Sequence, residues 1–382
     1  MDSDIILVIV VATALAFDFT NGFHDTANAV ATSISTRALA PKTAVTLSAI
    51  LNFVGAFISI KVAATVASGI VDADLITTTV IFAGLIGAIT WNLVTWYFGL
   101  PSSSSHALIG GVVGAAFAAS GPEAIFGGGL LEKVIVPALV APIVAFLTAG
   151  ICILITYRMV GRLRPGSVNR GYRLGQIVSA SLLSLSHGTN DAQKTMGIIT
   201  LALIAHGTLD GPAPDPPLWV IVSAASAIAL GTYSGGWRII RTMGSKIYKM
   251  DPAQGFAAQG GGAAVLLTAT HLGFPLSTTH SITGAVLGAG AAKNLSAVRW
   301  GLAGNIAVAW VLTLPAAAAV GAVTYGVSRI FGTGALGPLL ISVSLLALIT
   351  AMFGQRLRHG APVAPAPPPP PPPPPTPAPA DR

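Results

Sequence analysis

The chain has 382 residues, 53% of them hydrophobic and only 9% charged, with a formal net charge of +7. A soluble domain carries about a quarter charged residues, so this composition excludes an ordinary soluble enzyme and indicates an all-α integral membrane protein. The basic residues lie in short connections between apolar runs, as topology determinants do. No basic patch interleaved with aromatics supports nucleic-acid binding.

Apolar runs cover roughly 5–36, 43–70, 75–99, 102–119, 130–156, 176–206, 218–236, 253–273, 276–292, 300–328 and 337–353. The start, Met1-Asp2-Ser3-Asp4, lacks the positive segment and cleavage site of a secretory signal, so Ile5 onward reads as a retained first span. That run contains Asn21-Gly22-Phe23-His24-Asp25-Thr26-Ala27-Asn28. The sixth run contains Ser186-His187-Gly188-Thr189-Asn190-Asp191-Ala192-Gln193-Lys194, a related motif 166 positions later. Gly22 matches Gly188, His24 matches Asn190, Asp25 matches Asp191 and Asn28 matches Lys194. A charge at mid-bilayer depth costs roughly 3 kcal/mol on insertion scales, so a span that carries one has a polar task. Both runs exceed the ~20 residues of an upright crossing. Each is predicted to be a helix broken in the membrane at its motif.

A second pair of motifs keeps the same order. Gly99-Leu100-Pro101-Ser102-Ser103-Ser104-Ser105-His106 resembles Gly273-Phe274-Pro275-Leu276-Ser277-Thr278-Thr279-His280, at an offset of 174. Each lies between two apolar runs and contains a helix-breaking proline. That pattern predicts two helical hairpins whose tips lie at the membrane midplane, with the hydroxyls opening the second helix. A hairpin adds zero or two crossings, which leaves three other spans per half and inverts the second half relative to the first. Two inverted repeats with interrupted helices and a midplane site are how many secondary transporters are built.

The predicted layout is membrane repeat 1 over 1–156, a basic cytoplasmic loop over 157–175, and membrane repeat 2 over 176–330. An extra span over 331–355 and a disordered proline-rich cytoplasmic tail over 356–382 complete it. Arg158, Arg162, Arg164, Arg170 and Arg173 mark the central loop as cytoplasmic, as do Arg238, Arg241, Lys246 and Lys249 for a later one. Arg356 and Arg358 place the C-terminus there too, which puts the N-terminus outside a multi-pass inner-membrane protein.

The motifs suggest a chemistry. Ser103, Ser104 and Ser105 at one helix start, with Ser277, Thr278 and Thr279 at the other, offer free N–H groups, hydroxyls and positive dipole ends to an anion. Asp25 and Asp191 would repel it unless a cation intervenes, the carboxylate is protonated, or it accepts a hydrogen bond from the anion itself. Phosphate keeps a P–OH proton near neutral pH and sulfate does not, so acids beside donor-rich tips favour phosphate. A Ser-His hydrolase is disfavoured, because Ser–His occurs at two matching positions and no Gly-x-Ser-x-Gly elbow is present.

These paired Gly-x-(His/Asn)-Asp and Pro-x-Ser-(Ser/Thr)-(Ser/Thr)-His elements resemble the PiT family of inorganic phosphate transporters, over about residues 5–353. The resemblance implies an ion-coupled phosphate importer, not an enzyme, commonly a homodimer in membrane lipid, with no cofactor or resident metal. It makes Asp25, Asn28, Asn190 and Asp191 site residues of the acid motifs. It makes Ser103, Ser104, Ser105, Ser277, Thr278 and Thr279 the tip donors. The fullest family motif reads Gly-x-Asn-Asp-x-x-Asn, and this chain has His24 and Lys194 at two of its asparagines. A lysine beside Asp191 fills the space of a sodium ion, and histidine is the side chain that exchanges protons near neutral pH. Asp25, Asp191, His24 and Lys194 are therefore assigned to the coupling ion, a proton in preference to sodium. His187, whose counterpart is Asn21, reads as support; Asp18 either joins the site or bonds a nearby backbone; His106 and His280 read as bonding within their hairpins.

Overall fold

The computed structural model describes residues 2–211 and 214–358. In chain order the helices are α1 (Asp2–Ser35), α2 (Pro41–Gly55), α3 (Lys61–Ser68), α4 (Thr78–Phe98), α5 (Ser104–Ser120), α6 (Gly127–Leu130) and α7 (Val136–Val160). They continue as α8 (Pro165–Ala205), α9 (Leu218–Ser234), α10 (Trp237–Arg241), α11 (Pro252–His271), α12 (Thr278–Lys293), α13 (Trp300–Ile330) and α14 (Leu336–Arg358). Among the described residues no strand forms, and a lone bridge joins Val71 to Ile125. Four stretches are long and apolar enough to cross a membrane: Ser3–Ser35, Thr78–Phe98, Gly127–Val160 and Trp300–Ile330. The pair Leu218–Ser234 and Trp237–Lys246, bent by 57°, makes a fifth. This is a multi-pass membrane protein. Residues to Leu339 form one unit, which holds everything described below, and the chain from Leu340 forms a second.

Both predicted hairpins are present as helix pairs, α4 with α5 and α11 with α12. Their turns require glycine. Gly99 and Gly273 have φ of +68° and +77°, a region that side chains with a Cβ rarely enter. A proline then stops each helix from continuing, and Ser103 and Ser277 cap the helices that follow.

The predicted breaks are a correction. α1 runs unbroken for 34 residues and α8 for 41, each straight through its acid motif. The physical reason lies in lateral contacts. The polar side chains of both motifs find partners on other elements, so neither backbone has to open. The motif glycines serve close packing instead. A Cβ on Gly22 would run into the Ile228 carbonyl of α9, and one on Gly188 into the Asn52 carbonyl of α2. Small residues let backbones meet in this way where no hydrophobic drive separates helix from lipid. Likewise Gly110 and Gly114 of α5 meet the backbone of α13, and Gly284 and Gly288 of α12 meet that of α7.

The segment 157–175 also differs from a loop. Only residues 161–164 connect α7 to α8, and Arg170 and Arg173 lie in the first turns of α8. The proline-rich tail lies outside the described residues beyond Arg358.

Gly22→Val and Gly188→Val should each lower stability by about 2 kcal/mol or more through overpacking. Gly166→Ala, with nothing within 4 Å of its new Cβ, should be neutral. Thermal unfolding of the detergent-solubilised protein distinguishes these outcomes.

Candidate functional site

α1 and α8 carry their acid motifs to one place, where the two hairpin tips also end. Every predicted site residue is buried. Ser104 Oγ lies 2.7 Å from Asp25 Oδ2 and 2.6 Å from Asn21 Oδ1. Thr278 Oγ1 lies 3.2 Å from Asp25 Oδ2 and 3.2 Å from Asp191 Oδ2, so one hydroxyl of the second hairpin bridges both carboxylates. Thr279 Oγ1 approaches Asp25 Oδ1 at 3.4 Å. Asn28 donates to Thr279 Oγ1 at 2.9 Å and more weakly to Thr278 Oγ1 at 3.4 Å. Lys194 Nζ donates to Asp191 Oδ1, to Ser105 Oγ at 2.6 Å and to the Leu276 carbonyl at 2.7 Å.

Two hydroxyls here have more acceptors than hydrogens. A serine or threonine carries one O–H, yet Ser104 faces an amide oxygen and a carboxylate, and Thr278 faces two carboxylates. The cluster is short of hydrogens, and a ligand that brings one of its own fits it better than one that only accepts.

Three predicted site residues have other duties. Ser103 and Ser277 accept from the backbone N–H of His106 and His280, at 3.1 and 3.2 Å, and so cap α5 and α12. Asn190 donates to Thr270 Oγ1 at 2.8 Å and to the Phe274 carbonyl at 3.2 Å, which latches its own hairpin. His24, its counterpart, does the same in the first half. Its Nδ1 is 2.6 Å from Asp25 Oδ1, and its Nε2 is 3.1 Å from Thr95 Oγ1 and 3.4 Å from Ser102 Oγ.

His187 is closer to the chemistry than a supporting role suggests. Its Nε2 lies 3.0 Å from Asp191 Oδ2, and its Nδ1 faces Asn52 Oδ1 at 3.2 Å. One ligating atom each from Asp25, His187 and Asp191 lies within 4.8 Å of the others. The hairpin histidines touch each other instead of bonding within their hairpins, with ring centroids 4.7 Å apart edge to face. Trp310 of α13 stacks on His280 at 4.1 Å and donates to the Pro101 carbonyl at 3.1 Å, so one residue holds both tips. Asn52, Thr95, Thr270 and Trp310 lie outside the motifs and escape a reading by them. The only signal was a threonine shortly before each hairpin proline.

A sequence profile described as the phosphate transporter family matches residues 21–166 and again 162–321. A relative from Mycobacterium bovis is 54% identical over 94% of this chain and 85% of its own length. One from Rhizobium meliloti is 54% identical over 84% of this chain and 96% of its own, and one from Bacillus subtilis 47% over the same shares. All three carry the name "Probable low-affinity inorganic phosphate transporter". A solved structure named "The sodium-dependent phosphate transporter" superposes with a TM-score of 0.75 at 24% identity, over 85% of this chain and 99% of that one.

Lys194→Met leaves the carboxylate of Asp191 buried beside no ammonium, and should destabilise the fold by about 4 kcal/mol. Adding Asp191→Asn should recover most of that loss, giving a large coupling energy in a double-mutant cycle read by thermal unfolding.

Proposed function

The chain belongs to the phosphate transporter family, and we propose that it imports inorganic phosphate by proton symport. The observation that carries this reading is that the hydroxyls of Ser104 and Thr278, which face Asp25 and Asp191, each have one hydrogen for two acceptors. Monohydrogen or dihydrogen phosphate supplies a P–OH to a carboxylate and accepts from the tip hydroxyls and from the N-termini of α5 and α12 with its other oxygens. Sulfate offers acceptors alone. In this reading Ser104, Ser105, Thr278, Thr279 and Asn28 orient the anion, and Asp25 and Asp191 select its protonated face.

Lys194 supports the choice of ion. Its ammonium already stands against Asp191, so a protein cation occupies the place a metal would take. Sodium coupling is the second reading. The close approach of Asp25, His187 and Asp191 favours it, as does the sodium dependence of the solved relative.

The contacts of the two halves correspond in support of two inverted repeats. Asp25 with Ser104 matches Asp191 with Thr278, and Asn28 with Thr279 matches Lys194 with Ser105. With the N-terminus outside, the site lies near the bilayer midplane, where transporters of this construction bind substrate.

Proteoliposomes should accumulate labelled phosphate on an inside-alkaline pH gradient without sodium, and excess sulfate should not compete. Asp25→Asn and Asp191→Asn should abolish accumulation while the protein still inserts in the membrane. Accumulation on a sodium gradient alone would replace proton by sodium in this scheme, and full activity in either variant would remove the carboxylates from it.

A further inference from the structure

Among the buried side-chain oxygens beside the site that lack a hydrogen bond of good geometry are those of Asp18 and Thr195. Asp18 lies on α1 about two turns before Asp25 and is 0% exposed, and its carboxylate faces the side chains of Thr195 and Asn21 without a hydrogen bond of good geometry to either. Thr195, which follows Lys194 on α8, is equally buried, and its hydroxyl has no other group than Asp18 and its neighbours to turn to. The two stand beside each other where α1 packs on α8, with Asn21 next to Asp18 on α1. Asp25 and Asp191, by contrast, stand against His24 and Lys194 and share the hydroxyls of Ser104 and Thr278.

An ionised carboxylate whose nearest donors are one loosely placed hydroxyl and one amide is costly to bury. A hard metal cation would relieve it, but such ions take about six oxygen ligands. Here there are the carboxylate itself, one threonine hydroxyl and one amide oxygen that already accepts from Ser104. A proton needs a single oxygen. We propose that Asp18 carries the coupled proton, at a position separate from the phosphate cradle; this rests on the proton-symport reading above.

The placement explains how such a proton reaches the substrate site as a signal. Asn21 stands between Asp18 and Ser104, whose hydroxyl also meets Asp25. From α8, Asp191 and Lys194 are the charged groups that act on Asp18. α4 and α9 pack on α1 without a charged residue, α2 has only Lys42 at its start, and the segment with Arg238, Arg241 and Lys246 meets α1 later, from Phe23 to Ala31. With Asp18 as the acid, Lys194 stays with Asp191 and Ser105. With Asp18 as the anion, a second carboxylate competes for that ammonium, and the contact between α8 and the first hairpin tip weakens. Loading and release of the proton thereby bias the tip that holds phosphate.

The test uses the full chain in proteoliposomes, with inorganic phosphate as the probe and two assays. One is exchange of labelled for unlabelled phosphate without any gradient. The other is accumulation on an inside-alkaline step of about one pH unit, worth about tenfold per coupled proton. Asp18→Asn should keep exchange at the wild-type rate and lose the accumulation, and Asp18→Glu should restore it. Wild-type accumulation by Asp18→Asn overturns the proposal. So does loss of exchange together with accumulation in monodisperse Asp18→Asn protein, since Asp18 would then belong to the cradle or the fold. A wild-type protein indifferent to the pH step but driven by sodium removes the symport reading first, and the carrier with it.

Discussion

The ammonium of Lys194 sits among a carboxylate, a serine hydroxyl and a backbone carbonyl, with 1% of its side chain exposed. A charge held so far from water must be matched on every side or the element that carries it does not stay buried. The matching fixes much else. Ser105 reaches Lys194 only if the first hairpin bends back at Gly99, and the Leu276 carbonyl reaches it only if the second hairpin turns at Gly273. α8 can then remain a single helix, because its polar groups are answered from the side.

The two halves solve the same problem with different residues. His24 and Asn190 both latch the hairpin of their own half, one with a ring and the other with an amide. Asn28 and Lys194 both reach across to the opposite tip, one neutral and the other charged. The shared geometry is the frame of the site. The exchanged residue types are where the halves have separate chemistry, and both changes put a basic group beside an aspartate.

Much of this was legible in the residues. Gly-x-Pro followed by hydroxyls specifies a left-handed turn, a stop and a cap by local chemistry alone, and both hairpins form there. The pairing of motifs at matching offsets pointed to residues that do come together. What failed needed knowledge of neighbours. A polar cluster in an apolar run looks like a break unless its lateral partners are known, and those partners, Asn52, Thr95 and Thr270, lie in other parts of the chain. For the same reason the capping by Ser103 and Ser277 and the latch made by the Asn190 amide N–H groups could not be read from the motifs. Side chains of one type do different work when one faces a backbone N–H and the next faces a carboxylate.

The glycine contacts carry a mechanical consequence. α1 meets α9, α2 meets α8, α5 meets α13 and α12 meets α7, each backbone to backbone. Every one of these pairs joins an element of the first half to one of the second. No seam follows the division of the sequence, so neither half can swing as a block without parting several close backbone contacts. The division of the sequence is therefore not a division of the packing, and each of these joints draws on both halves of the chain.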